Sequence, residues 1–244
     1  MSDQEFQAPA STPQPGSASI EQPEYWWYRA RSELLRAVLA EHVSDGGRFL
    51  DVGSADGPSV SWLTGTEHAT VDLDPRGLTP GGAVCASALA LPFATGSFDL
   101  VSAFDVVEHC EPDSMVLGEF ARVLAPGGRL LLSVPAYQWA WSDHDVRAGH
   151  YRRYTRSRLV SAVEQSGYVV RRASYGFAGV FPFFAAERIS RRVRRLGVNN
   201  DHLPRVNPAL ERLLLGLSAA EAAVLARRDL PFGSSVFLAA DKAV

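Results

Sequence analysis

Residues 51–57 are a run of acidic and small residues, Asp-Val-Gly-Ser-Ala-Asp-Gly, that directly follows an apolar run. A strand, a tight turn of small residues and a helix N-terminus together form a cradle that suits a nucleotide. Gly53 and Gly57 allow the backbone to approach such a ligand closely. A second apolar run ends in Asp72, a carboxylate that can accept hydrogen bonds from both hydroxyls of a ribose. The two features predict a nucleotide site at strand ends.

The spacing of the glycines distinguishes between two kinds of nucleotide. A dinucleotide fingerprint requires Gly-x-Gly-x-x-Gly, and counting from Gly53 the second and third positions hold Ala55 and Pro58. The pattern Asp51-x-Gly53-x-Ala55-x-Gly57 instead resembles motif I of class I S-adenosylmethionine-dependent methyltransferases, Asp/Glu-x-Gly-x-Gly-x-Gly, with Ala55 replacing the middle glycine. A nicotinamide-dependent oxidoreductase is therefore the weaker alternative.

Four further segments resemble successive motifs of the type 11 branch of that family. They are Leu-Pro-Phe at 91–93, Gly-Ser-Phe-Asp-Leu-Val at 96–101, Val-Val-Glu-His at 106–109 and Leu-Ala-Pro-Gly-Gly-Arg-Leu at 124–130. They occur in the family's order and at its spacing, and the resemblance covers roughly residues 45–175. Several ordered motifs are far more specific than one glycine-rich turn. The resemblance implies that the cofactor is S-adenosylmethionine.

The resemblance also implies a set of cofactor-binding residues. They are Arg31, Asp51, Gly53, Ser54, Ala55, Gly57, Asp72, Leu73, Ser87, Ala88, Leu89, Phe104 and Asp105. Ser87 stands where many relatives carry an aspartate that holds the adenine amino group, so this contact would pass to its hydroxyl or to a backbone carbonyl. Arg31 or Arg29, in an aromatic helix start, would meet the methionine carboxylate. Alternatively, the aromatic rings there only pack the helix onto the sheet.

The loop after the strand that ends near Val134 concentrates titratable side chains. Methyl transfer is an in-line displacement, and a hydroxyl acceptor must lose its proton as it attacks. His144 and His150 are the candidate bases, and we favour His144 because Asp143 and Asp145 flank it. Tyr154 is predicted to shape the catalytic pocket. Each histidine could equally make a structural hydrogen bond within the loop.

His109 is expected to lie near the sulfur end of the cofactor and to be structural. Across the whole chain, no group of His, Asp and Glu residues has convincing metal-ligand spacing. The sequence therefore predicts no metal.

Alternating apolar strands and amphipathic helices predict an α/β fold, a Rossmann-like seven-stranded, mostly parallel sheet with helices on both faces. Strands are predicted at 48–52, 68–72, 83–86, 98–104, 128–134, 168–175 and 234–240. Helices are predicted at 24–43, 58–64, 113–124 and 155–166. Residues 1–23 are predicted to be a disordered tail, because they are rich in Pro, Ser and Gln, and 24–244 a single methyltransferase domain.

A helical insertion is predicted at 176–233, before the last strand, with helices at about 180–196 and 207–228. The first of these begins with apolar residues and ends with arginines. It is either an amphipathic lid with a solvated arginine face or, over 177–195, a surface for anionic lipid or a lipid-linked substrate. The segment 149–155, Gly-His-Tyr-Arg-Arg-Tyr-Thr, resembles bacterial relatives associated with surface-glycan or specialised metabolism.

The composition limits the classes of partner that the protein can bind. A net charge of −3 and a pI near 6.1 argue against nucleic acid bound through bulk charge. The sequence shows no secretory signal and no apolar run of ~18 residues, and two cysteines without metal-ligand spacing suggest reduced thiols. We therefore expect a cytoplasmic protein. Its oligomeric state does not follow from the sequence.

These observations favour an S-adenosylmethionine-dependent methyltransferase that acts on a small-molecule or lipid-linked acceptor. The alternatives are a non-catalytic S-adenosylmethionine-binding protein and, less favoured, the oxidoreductase. The acceptor atom, whether O, N or C, is left open by the sequence.

Overall fold

The computed structural model describes residues 22, 24–43, 47–53, 57, 59–63, 65, 67–78, 82–194 and 206–244. The predicted tail at 1–23 lies outside these residues except for Gln22. Of the predicted cofactor residues, Ser54 and Ala55 also lie outside them.

A seven-stranded sheet is the centre of the fold, with the order β3-β2-β1-β4-β5-β7-β6. The strands are β1 (Arg48–Val52), β2 (Glu67–Asp72), β3 (Ala83–Cys85), β4 (Phe98–Phe104), β5 (Leu124–Pro135), β6 (Tyr168–Gly176) and β7 (Ser235–Lys242). β7 runs antiparallel to both of its neighbours, and the remaining pairs are parallel. The predicted mostly parallel, Rossmann-like sheet is thus confirmed.

The α-helices of the described chain are α1 (Trp26–Leu39), α2 (Asp113–Val123), α3 (Asp143–Ala148), α4 (Arg156–Gln165), α5 (Phe181–Arg194) and α6 (Pro208–Leu225). In place of the predicted helix at 58–64, the described residues make turns with i→i+3 hydrogen bonds, from Val60 to Gly57 and from Leu63 to Val60. The indole of Trp62 donates to the Ser59 carbonyl at 2.7 Å, an acceptor that a regular helix would use for its own backbone. The prediction of a helix there is therefore wrong for the described residues.

The sheet is covered on both faces by buried apolar side chains. α2 and α4 contribute Phe120, Leu159 and Val163 to one core, whereas α1 and α6 contribute Leu35 and Leu225 to the other. α5 and α6 lie in the predicted insertion between β6 and β7. The buried carboxylate of Glu221 in α6 accepts hydrogen bonds from the backbone of Ala178 and Gly179 at 3.0 and 2.8 Å, and so ties the start of the insertion to α6.

The order of the strands locates the ligand-binding edge. From β1 the chain continues to β2 and β3 on one side, and then crosses to β4 and β5 on the other. β1 and β4 are paired in register, with Val52 opposite Ala103, so their carboxyl ends lie side by side. In open α/β sheets, ligands bind beyond the carboxyl ends of the strands at this reversal.

Candidate active site

Asp51 lies at the end of β1, opposite Ser102 of β4, and is buried. The Ser102 hydroxyl donates to Asp51 Oδ1 at 2.6 Å, whereas Oδ2 has no hydrogen-bond partner among the residues that the structure describes. Burial raises the pKa of Asp51 to about 7, although the bond from Ser102 opposes the rise. A buried acceptor without a partner is rare in folded proteins, and it fits a ligand that brings a donor or a positive charge.

The turn after Asp51 requires glycine at position 53. Gly53 has φ +82°, and a Cβ built there would lie 2.6 Å from Cγ2 of Val106. Its amide donates to the Val71 carbonyl at 2.7 Å, which holds the turn against β2. Gly57, in contrast, is exposed, and no atom of the described residues lies within 4 Å of a Cβ built there. The conformation of Gly53 is therefore set by its protein surroundings.

The ends of β2 and β3 carry the predicted ribose and adenine residues. The half-buried Asp72 accepts a hydrogen bond from the Asp74 amide at 2.8 Å through Oδ1. Leu73 is 71% exposed, which leaves an apolar side chain open beside this carboxylate. The Ser87 hydroxyl accepts from the Leu89 amide at 3.2 Å, and Ala88 lies between them in the same half-buried turn. An apolar contact next to a carboxylate suits a flat base joined to a ribose.

Arg31 reaches from α1 to the end of β4. Its guanidinium lies 3.1 Å from Asp105 Oδ2 and donates to the Ser133 hydroxyl at 3.0 Å, while that hydroxyl donates to Asp105 Oδ1 at 2.9 Å. Asp105 has φ +57°, an uncommon conformation for a residue other than glycine. Arg31 is buried and is thus already bonded to the protein, so its contact with a ligand carboxylate stays a prediction.

Phe104 is a correction to the predicted cofactor residues. Its side chain is buried in the core beneath α1, together with Leu131 and Phe237. A ring packed in this core is not open to a ligand at the carboxyl ends of the strands, so a contact of the side chain with the cofactor is not supported.

The long loop after β5, predicted without regular structure, contains the short helix α3. Ser142 and Asp145 form a capping box at its start, and Gly149 ends it with φ +74°. Asp145 is fully buried, and its Oδ1 lies 2.8 Å from Nδ1 of His150 and 2.7 Å from Nε of Arg153. Asp145 therefore orients His150. The premise behind the preference for His144 is not met, because Asp145 bonds to His150 and consecutive residues of a helix point in different directions. Which histidine acts as the base stays a prediction.

His150 is the centre of a group of histidines. Its ring centroid lies 4.5 Å from that of His109 and 6.2 Å from that of His144. Although much of His109 is exposed to solvent, desolvation of its ring and the nearby His150 lower its pKa to about 4. Desolvation also lowers the pKa of His144. The imidazoles of His109 and His144 therefore favour the neutral form at pH 7.

Glu108, which the sequence analysis did not select, lies next to His109 and His150, with one oxygen within 4.8 Å of a nitrogen of each ring. It is fully buried, and neither of its carboxylate oxygens has a hydrogen-bond partner in the described part of the chain. Burial raises the pKa of Glu108 well above its ordinary value, and the charge of Asp105 adds to the rise. The signal in the sequence was its position four residues after the end of a buried strand at the ligand-binding edge.

Tyr154 is a second correction. It is fully buried in the apolar core, and its hydroxyl donates to Asp113 at 2.9 Å. Its backbone also bonds to Pro135 and Tyr137. Tyr154 is thus a structural residue that anchors the loop, rather than a catalytic one.

Comparison with known proteins agrees with this geometry. Residues 50–132, which include β1 through most of β5, match the type 11 family model described as a methyltransferase domain. Over this segment the chain is similar to that methyltransferase family. An uncharacterized methyltransferase of Mycobacterium sp. (strain KMS) is 37% identical over 154 residues, which are 53% of this chain and 61% of the relative. The biotin biosynthesis bifunctional protein BioHC of Cellvibrio japonicus is 32% identical over 162 residues, 57% of this chain and 32% of that protein.

Solved structures share the methyltransferase fold. Phosphoethanolamine N-methyltransferase 2 of Haemonchus contortus, in complex with S-adenosyl-L-methionine, has a TM-score of 0.55 and 15% identity, with 94% of this chain and 60% of that chain covered. The [4+2]-cyclase SpnF has a TM-score of 0.54 and 18% identity, with 87% and 81% covered. At these identities the likeness shows the fold alone, and a cyclase with this fold shows that fold does not decide the reaction.

Proposed function

We propose that this methyltransferase-family protein transfers a methyl group from S-adenosylmethionine to an acceptor bound beside His109 and His150. The observation that carries the proposal is the buried Oδ2 of Asp51, an acceptor without a partner among the described residues at the strand reversal. The cofactor has a cationic ammonium group and a sulfonium, and a buried carboxylate favours positive charge.

Several residues would hold the cofactor. Asp51 would bind its positive end, the turn at Gly53 would admit it closely, and Asp72 would accept hydrogen bonds from the ribose hydroxyls. Leu73 would contact the adenine from its exposed position, and the turn that contains Ser87 would bind the edge of the ring. When bound, S-adenosylmethionine supplies a methyl group on a sulfonium, an electrophile that needs no activation by the protein.

The protein's own contribution is to align the acceptor and to receive its proton. An in-line displacement needs the acceptor atom about 3 Å from the methyl group, in a site that excludes water. The group formed by Glu108, His109 and His150 lies just after the carboxyl end of β4, which borders β1. Asp145 fixes the His150 ring, so the acceptor's proton would leave toward a pre-oriented group.

We further propose that the acceptor is a small or lipid-linked molecule rather than a nucleic acid, and that α5 and α6 contact a lipid surface. Phe183 is 75% exposed, and Ile189, Leu213 and Phe232 are also exposed. No described helix has the length and apolar character that a membrane crossing needs. Exposed aromatic and aliphatic side chains next to arginines are typical of a helix that lies on an anionic membrane.

The resemblance of 149–155 supports a role in bacterial glycan or specialised metabolism, and the free thiols of Cys85 and Cys110 support a cytoplasmic location.

Calorimetry with S-adenosylhomocysteine tests the cofactor assignment. The protein should bind one equivalent, and Asp72→Ala should weaken binding by about 1.5–3 kcal/mol, the usual loss for hydrogen bonds to a charged group. Asp74→Ala is the matched control, because Asp74 pairs with Arg76 and should leave the affinity unchanged. Saturable NAD binding with oxidation of an alcohol, or unchanged affinity in Asp72→Ala, would contradict the proposal. Binding without release of product from any acceptor would favour a non-catalytic binder.

A further inference from the structure

Glu108 presents a carboxyl group that no other described residue satisfies. The residue is fully buried, yet neither oxygen has a hydrogen-bond partner within the described ranges. Burial of an unpaired carboxyl group is costly, and native structures usually supply a hydrogen bond, an opposite charge or a metal ion. The carboxyl of Glu108 is thus placed for a ligand that is cationic or that donates hydrogen bonds.

Two imidazoles converge on this carboxyl group. Glu108, His109 and His150 each bring one potential ligand atom, and the three atoms lie within 4.8 Å of one another. Ligand atoms bound to a single tetrahedral ion at about 2.1 Å lie about 3.4 Å from one another. Side-chain rotations that shorten these separations by up to about 1.4 Å would therefore close the group around an ion.

Each of the two imidazoles already has a hydrogen-bond partner in the protein. Nδ1 of His150 lies 2.8 Å from Asp145 Oδ1, and the ring of His109 hydrogen-bonds to the backbone carbonyl of Ala148. Metal-binding histidines almost always donate their second N–H to a carboxylate or a backbone carbonyl in this way, which fixes the ring and directs the other lone pair at the ion. These two hydrogen bonds do not involve Glu108, because Asp145 and Ala148, which make them, belong to α3.

We propose that Glu108, His109 and His150 bind a divalent transition-metal ion of the Zn²⁺ type. Two imidazoles and one carboxylate are a ligand set that such ions accept, and three protein ligands leave a position open for another molecule. The sequence predicted no metal, because 41 residues separate His109 from His150 and only the fold brings them together.

The ion would change the role of His150 in the reaction. If the proposed methyl transfer holds, an acceptor hydroxyl in the open position would lose its proton because the cation makes it more acidic, and His150 would act as a ligand rather than as a free base. This consequence rests on the proposed function, whereas binding of the ion does not.

Metal titration tests the proposal directly. The untagged full-length protein is first treated with a chelator to remove bound metal. Binding of Co²⁺ is then monitored by visible absorption, and binding of Zn²⁺ is monitored by calorimetry. One equivalent should bind, and Glu108→Gln and His150→Ala should each weaken binding at least about tenfold. His144→Ala is the matched control, because His144 neighbours His150 but is outside the three ligands, and it should bind as the wild type does.

Thermal unfolding of the same proteins is a second measurement. Zn²⁺ should raise the melting temperature of the wild type and not that of Glu108→Gln. Without metal, Glu108→Gln should be at least as stable as the wild type, since it removes a buried ionisable group. The absence of stoichiometric binding in the wild type, or equal loss in His144→Ala, overturns the proposal. Binding of S-adenosylhomocysteine to Glu108→Gln is measured separately, so that a failure of the metal site is distinguished from a failure of the cofactor assignment.

Discussion

Asp145 Oδ1 lies 2.8 Å from Nδ1 of His150, although the two residues are on opposite sides of the glycine that ends α3. Burial alone would raise the pKa of Asp145, but hydrogen bonds from His150 and Arg153 hold it well below its usual range. The carboxylate is therefore ionised at neutral pH and accepts from Nδ1 of His150. This tautomer leaves the lone pair of Nε2 available at the candidate active site.

Removal of the Asp145 charge should destabilise the protein strongly. Asp145→Asn leaves the buried guanidinium of Arg153 without its ion pair, and breaking a buried pair costs about 3–5 kcal/mol. Urea denaturation measures this loss. Asp143→Asn is the control, because Asp143 is exposed in the first turn of the same helix and should change stability by less than about 1 kcal/mol. Similar losses in both variants would show that helix α3, rather than the buried pair, sets the stability.

Turnover should depend on His150 more than on His144. In an assay that follows release of S-adenosylhomocysteine, His150→Ala should lower turnover about 10²–10⁴-fold while the affinity for the cofactor stays nearly constant. His144 is exposed and lacks the contact with Asp145, so His144→Ala should have a smaller effect. A larger loss in His144→Ala would reverse this assignment.

The apo protein should become less stable between about pH 4 and pH 7 because of Asp51. Its pKa is raised to about 7 in the fold, so the folded state holds a proton that the unfolded state releases above about pH 4. Stability from this group is complete below pH 4 and is lost as the pH rises through 7, by up to about 4 kcal/mol. Asp51→Asn should remove this dependence and be more stable than the wild type at pH 8, while it binds S-adenosylhomocysteine more weakly.

Thermal unfolding across this pH range, without cofactor, measures whether the stability falls as the pH rises. Asp99 is the opposite control, since hydrogen bonds from Arg48 lower its pKa. Asp99→Asn should therefore lose stability at neutral pH relative to the wild type and lose less in acid. A wild type as stable at pH 8 as at pH 5, with no gain in Asp51→Asn, would refute the buried-charge interpretation.

The two glycines of the cofactor turn should respond differently to alanine. Gly53→Ala places a Cβ against Val106 at a positive φ, so it should cost at least about 1–2 kcal/mol of stability and weaken binding of S-adenosylhomocysteine. Gly57→Ala has open space and should leave stability within about 0.5 kcal/mol. Adding Val106→Ala to Gly53→Ala should recover part of the loss, since it removes the contacting methyl group. Equal melting temperatures for the two single variants would contradict the assignment.

Contact of α5 with lipid can be measured by co-sedimentation with vesicles. The wild type should sediment with vesicles that contain anionic lipid, less so at high salt, and Phe183→Ser with Ile189→Ser should abolish this binding. Met115→Ser is the matched control, because Met115 is exposed on α2, away from α5 and α6. Wild-type protein that stays in the supernatant with anionic vesicles would exclude the lipid surface.

The strands could be predicted from sequence because a buried parallel strand appears as an apolar run between turn residues. β1 and β4 were predicted with their observed bounds. β5 begins four residues earlier than predicted, since Leu124 already pairs with Phe98 before the chain bulges at the glycines. α3 was missed because its six residues are mostly polar and carry no apolar periodicity.

The turn that contains Gly53 was partly predictable from the sequence, whereas the arrangement of Glu108, His109 and His150 was not. Gly53 and Asp51 are local in sequence, and a spacing pattern detects them. The pairing of Asp145 with His150 depends on a helix cap, and the approach of Glu108 and His109 depends on how the loop after β5 folds over the end of β4. Such contacts come from tertiary packing and leave no short-range signal in the sequence.

The two ends of the insertion between β6 and β7 emerge from paired positions, Gly176 opposite Ser235. The chain therefore leaves and re-enters the sheet at one paired position, next to β7 and away from β1 and β2. A segment of different length or sequence could be inserted at this position while β1 to β4 keep their pairing, provided that it still covers the apolar core that contains Leu34 and Leu35 of α1.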